Sequence, residues 1–161
     1  MEKVELLNED YDGEMRNIIE EARVVLPGIQ ALFGFQMIAV FNDRFEELAD
    51  YAKACHAAGL IMVIVSVAMV MTPAIYYRTC RGHATESMVK LSSKMIRGAL
   101  SPLALGLALD MFTVFHIVCA GMPGQMALSI VAALGTLVLL LALWFLVPRR
   151  GRAPRLVRKR R

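Results

Sequence analysis

The chain has 161 residues, 57% of them hydrophobic and 20% charged, with 18 Lys and Arg against 14 Asp and Glu, and its mean hydropathy is +0.53. Soluble domains are about 45–50% apolar, so the composition excludes a water-soluble domain; the length allows one compact unit, and three cysteines are too few for a disulfide framework or a zinc ribbon. The net charge of +4 does not indicate nucleic acid, because eight of the cations crowd into Arg149 to Arg161, where a basic tail beside a membrane span reads as an anchor on anionic lipid.

The first 25 residues are acidic, with Glu2, Glu5, Glu9, Asp10, Asp12 and Glu14, and they lack the apolar stretch of a cleavable signal. Residues 1–13 are expected to form a loose tail. From Glu14 onward Met15, Ile18, Ile19, Ala22, Val25 and Leu26 recur at helical steps. That spacing predicts an amphipathic helix against the membrane or the bundle. Residues 1–25 are thus read as a cytoplasmic tail and amphipathic helix. Pro27-Gly28 permits a bend.

Residues 26–147 read as a membrane unit of four spans. The first, about 26–41, is short for a bilayer that needs about 20 apolar residues, and Gln30 and Gln36 lie inside it. Either the preceding helix supplies the missing length or the segment is tilted or re-entrant. A charged connector follows to Lys53, with an apolar stripe of Phe45, Leu48, Ala49 and Ala52. The second span, about 54–77, has no charged residue and ends in a Tyr76-Tyr77-Arg78 belt. Arg78 to Arg97 reads as a basic loop. The third span, about 99–120, carries Asp110 and His116. A tight Gly121-Met122-Pro123-Gly124 turn leads to the fourth, about 125–147, with Trp144 near its end. Residues 148–161 form the basic cytoplasmic tail. Lys and Arg number three in the N-terminal segment, five in the loop and eight in the tail, against two and none in the other connectors. By the positive-inside rule both termini are cytoplasmic.

Helices in lipid meet through small and weakly polar residues. The second span offers His56, Gly59, Val63, Ser66, Val70 and Pro73, and the third Pro102, Gly106, Leu109, Thr113 and His116. The fourth offers Gln125, Ser129, Ala132 and Thr136, and the first Gln30, Gly34 and Met37. These spacings predict an all-α, integral membrane four-helix bundle with roughly left-handed seams.

Asp110 stands out, because a carboxylate near the centre of a span costs about 2.5–3.5 kcal/mol or more and no span carries a Lys or Arg to pair with it. With Gln36, Ser66 and Thr113 it forms a candidate midplane ion or proton site; alternatively it bonds Gln36 and sets helix register. His56 and His116, with Cys55 and Cys119, form a second constellation at one end of the second and third spans. Two histidines from neighbouring helices can ligate a b-type haem or a metal ion, and the four residues can also make a metal site or a disulfide. The plainer expectation is no cofactor, with histidines that only pack. Phosphate loops, zinc-protease motifs and nucleophile triads are absent from the sequence, so an enzyme with a self-contained active site is not expected.

The stretches Glu21-Ala22-Arg23-Val24-Val25-Leu26-Pro27-Gly28-Ile29-Gln30, Arg44-Phe45-Glu46-Glu47-Leu48, Thr72-Pro73-Ala74-Ile75-Tyr76-Tyr77-Arg78 and, more loosely, Leu109-Asp110-Met111 resemble an uncharacterised bacterial family of small four-helix membrane proteins. Some of its members carry the label sodium:proton antiporter. In that family's pattern a His often stands where this chain has Tyr77, and His56 and His116 are departures from it. The resemblance implies a four-helix fold in the cytoplasmic (inner) membrane and no established activity. The expected role is an accessory or structural membrane component, in a homo-oligomer or larger complex. The alternatives are an oligomeric ion or proton pathway centred on Asp110 and an electron carrier using His56 and His116.

Overall fold

The computed structural model describes the backbone of residues 2–150 and the side chains of residues 9–148. The elements are α1 (Glu2–Ala39), α2 (Asp43–Glu46), α3 (Asp50–Thr79), α4 (Glu86–Val118) and α5 (Gln125–Leu141). A π-helical turn (Ala142–Leu146) carries α5 into α6 (Val147–Arg150), and no strand occurs among the described residues. Four stretches, Glu9–Ala39, Asp50–Thr79, Glu86–Val118 and Gln125–Leu146, are long and apolar enough to cross a membrane. The basic side chains of Arg149 to Arg161, expected on anionic lipid, lie outside the described residues.

Residues 2–13 are the first turns of α1, not the expected loose tail. Their far end is held by the turn between α3 and α4. The Ala84 N–H donates to Asp12 Oδ1 at 2.6 Å, and Tyr11 packs on a cluster of Met15, Ile18, Ala84 and Val89. The helix then runs through Pro27 without interruption. Proline removes one ladder hydrogen bond, yet Pro27 and Gly28 stand on an exposed face where the neighbouring carbonyls are not trapped. The amphipathic segment and the first span are therefore one helix, which supplies the length that 26–41 lacks. Its inner line is Met15, Ala22, Ile29 and Gln36, one residue every seven. Gln30 and Met37, expected on the seam, face outward, and Gly34 is half-buried.

α4 also begins earlier than expected. The Thr85 hydroxyl caps it by accepting the Met88 N–H at 3.4 Å. Lys90, Lys94 and Arg97 are thus helical and exposed, while Met88, Val89, Ser92 and Ala99 turn inward. The expected basic loop shrinks to residues 80–85, where Arg81 and Gly82 take positive φ of 55° and 78°. In the first connector, Asn42 caps α2 by accepting the Arg44 N–H at 3.0 Å, and Ala52 already belongs to α3. The tight turn before α5 is as expected, with Gly121 and Gly124 at φ of 80° and 85°.

The strongest contact joins α3 to α4; α1 packs on both, and α5 packs on α4. All six seam residues read on α3 are buried. On α4, Gly106, Thr113 and His116 are buried while Pro102 and Leu109 are half-buried. On α5 only Ser129 of the expected line is fully buried, with Gln125, Ala132 and Thr136 half-buried. Large apolar side chains point outward from every long helix, including Val24 at 80% and Phe35 at 71% exposed. Soluble monomers do not expose apolar surface on that scale.

Candidate functional site

The α3–α4 seam has a seven-residue antiparallel register. The Thr113 hydroxyl reaches the Ala52 carbonyl at 3.4 Å. Seven residues on along α3 and seven back along α4, Gly59 meets Gly106. A Cβ on Gly106 would stand 3.0 Å from the Gly59 carbonyl oxygen, and one on Gly59 would stand 3.2 Å from that of Gly106. Seven further, the Ser66 hydroxyl donates to the Ala99 carbonyl at 2.9 Å. Glycine is needed at the middle pair because the two backbones touch there.

This register decides what faces Asp110. One turn from the glycine pair, Asp110 lies against His56, with Oδ1 3.1 Å from His56 Nδ1. A Cβ on Gly59 would also stand 3.0 Å from that oxygen, so the glycine makes room for the carboxylate. α1 completes the cluster through one residue. The Gln36 side-chain amide donates to Asp110 Oδ2, and His56 Nε2 lies 3.0 Å from the Gln36 main-chain carbonyl. Phe45 from α2 closes the outer side, edge-on to the His56 ring at 5.2 Å. His56 and Gln36 are buried.

The bonding restricts where protons sit. A carbonyl oxygen only accepts, so His56 Nε2 carries a hydrogen and donates it. The Nδ1–Oδ1 contact is close enough for one proton, on the ring or on the carboxyl, to separate the facing lone pairs. Without it, two lone pairs would face each other in an apolar surround. The pair with that proton is neutral overall, as a dry site requires. Asp110 Oδ1 makes only this ionic contact and no directed hydrogen bond, and Gln36 Oε1 has no partner at all. The cluster borders a cavity of about 220 Å³ whose other walls include Leu32, Phe35, Leu107 and Val114.

Of the expected ion site, Asp110 and Gln36 are bonded to each other, and Thr113 lines the same cavity. Ser66 does not join them; Ala99, its partner, is about 16 Å from Asp110 along α4 at 1.5 Å per residue. The two histidines have separate partners. His56 has both ring nitrogens engaged. His116 Nε2 is 2.9 Å from the Tyr51 hydroxyl, its ring stacks on Phe112 at 5.6 Å, and the Gln125 amide donates to its carbonyl at 2.7 Å. Cys55 and Cys119 are free thiols. Among the described residues no three His, Cys, Asp or Glu side chains converge as metal ligands.

Sequence reading missed the His56–Asp110 pair because it set His56 level with His116. The small-residue seam contains the signal. Once Gly59 is placed on Gly106, the residue one turn before the first meets the residue one turn after the second.

In comparison with known proteins, a family model described as a family of unknown function (DUF6328) matches residues 5–148. No curated protein and no solved structure matches the chain.

Proposed function

We propose, for a chain that belongs to the DUF6328 family of unknown function, that it is a multi-pass membrane protein whose Asp110–His56–Gln36 cluster takes up and releases a proton within the bilayer. Four spans are few for a transporter, which usually surrounds its site with two repeats, so the pathway is formed in an oligomer. The observation that carries this reading is the close contact between two titratable groups, buried His56 and half-buried Asp110, on the wall of a cavity. Ionisable residues inside a membrane are costly, face the bundle interior and mark ion and proton pathways. The orientation, with both termini in the cytoplasm of a bacterial inner membrane, rests on the lopsided distribution of Lys and Arg and on the family resemblance.

Purified protein in liposomes, with a pH-sensitive dye inside and an imposed gradient, tests the proposal. Proton or cation-coupled flux above that of empty liposomes is expected, and Asp110→Asn abolishes it while the protein still elutes as a single folded species. Flux equal to that of empty liposomes, or undiminished in Asp110→Asn, rejects the pathway. A second reading, an accessory component with a purely structural seam, is favoured by the way Ser66, Thr113 and Gln125 satisfy one another's helices. It predicts no flux from any variant.

A further inference from the structure

At the opposite end of the helices from His116, α1 and α3 border a crevice of about 610 Å³. Arg16, Arg23 and Arg78 line its polar part, and Leu26, Val70 and Ile75 line its apolar part. Arg16 and Arg23 are seven residues apart on α1, hence on one face. Arg78 comes from the last turn of α3, which runs antiparallel. Glu20 also lines the crevice, so its cationic excess is two. Among the described residues the ion pairs are His56–Asp110 and Glu86–Lys90, and no described carboxylate pairs with any of the three arginines.

We infer that this crevice holds an anionic phospholipid, with its phosphate between Arg16, Arg23 and Arg78 and an acyl chain along Leu26, Val70 and Ile75. The inference rests on the membrane placement proposed above, but not on proton transfer. Charge complementarity selects an anion, and guanidinium forks suit phosphate oxygens. The gradient of polarity selects a lipid over a soluble phosphate. The arginines stand where the spans leave the hydrocarbon on the side read as cytoplasmic, and the apolar walls continue inward at acyl-chain depth. Basic pockets between spans on that side suit anionic headgroups. The lining residues that form this site belong to α1 and α3.

Native mass spectrometry of the full chain in detergent, titrated with phosphatidylglycerol and with phosphatidylcholine, tests it. One phosphatidylglycerol is expected to remain bound at concentrations where phosphatidylcholine does not. Neutralising each arginine (Arg16→Gln, Arg23→Gln, Arg78→Gln) should weaken binding roughly fivefold, while Arg97→Gln, outside the crevice, leaves it unchanged. Ala74→Phe fills the apolar slot without altering charge and should also lose the lipid. Equal retention of the two lipids, or full retention by the triple arginine variant, overturns the inference. Competition by soluble glycerol phosphate at similar concentration overturns the lipid in favour of a free anion. Carbonate extraction of membranes separates the two levels: a protein released by carbonate defeats the membrane placement, whereas one retained without lipid selectivity defeats only this site.

Discussion

The glycine contact between α3 and α4 gives the sharpest quantitative test. Replacing a helical glycine by alanine gains about 1 kcal/mol of intrinsic helix stability, wherever the new methyl has room. At Gly135 it meets nothing within 4 Å, so Gly135→Ala should be neutral or stabilising. At Gly98 the methyl would stand 2.9 Å from Met69 Cε, the far end of a flexible side chain that can rotate away at modest cost. At Gly106 it would stand 3.0 Å from the Gly59 carbonyl oxygen and 3.1 Å from Val63 Cγ2. Neither a main-chain oxygen nor a branched side chain on a packed helix can swing aside, so α3 and α4 must separate. Overpacking of that kind costs about 1–3 kcal/mol. Gly106→Ala should therefore be less stable than Gly135→Ala by about 1–3 kcal/mol, with Gly98→Ala between them. Unfolding of the three variants by sodium dodecyl sulfate, followed by helical circular dichroism in a mild detergent, measures the order. Gly106→Ala at or above Gly135→Ala would refute the close-contact seam.

Asp110→Ala leaves the Gln36 amide and His56 Nδ1 buried without a partner and should cost about 1–3 kcal/mol for each unsatisfied group. Asp110→Asn keeps the Gln36 bond and should cost less; equal losses in the same unfolding assay would show that the cluster does not act as a bonded unit. Ser66→Ala removes one interhelical hydrogen bond and should cost about 0.6 kcal/mol, the usual value inside membranes; a loss several times larger would mean that Ser66 does more than bridge to Ala99. Cys80, in the α3–α4 turn, should react with an impermeant maleimide only from the cytoplasmic face, and an added Gly121→Cys only from the opposite face. Labelling from the reversed sides would invert the topology.

Much of the architecture follows from local pattern. Seven-residue spacing on α3 names every buried position from His56 to Pro73, because a charge-free span leaves small residues as the only asymmetry. The pattern fails where charge or proline interrupts it. Lys90, Lys94 and Arg97 made the start of α4 look like a loop, although Met88, Val89, Ser92 and Ala99 keep helical periodicity beneath them. That error shifted the α3–α4 register and parted His56 from Asp110. Taking Pro27 as a bend restarted the count on α1 and chose Gln30 over Ile29. Gln36 as a partner of Asp110 was legible, since both are polar and at similar depth. The Gln36 main-chain contact with His56 was not, because no side chain signals a carbonyl.

That last contact has a consequence for how the site can vary. Gln36 serves the cluster twice, with its amide on Asp110 and its carbonyl on His56. Every amino acid brings the same carbonyl. A substitution at position 36 can rewrite what the carboxyl group meets, but the imidazole keeps its acceptor for as long as α1 stays docked. Half of the site is open to point mutation at this position, and the other half is inherited from the path of the chain.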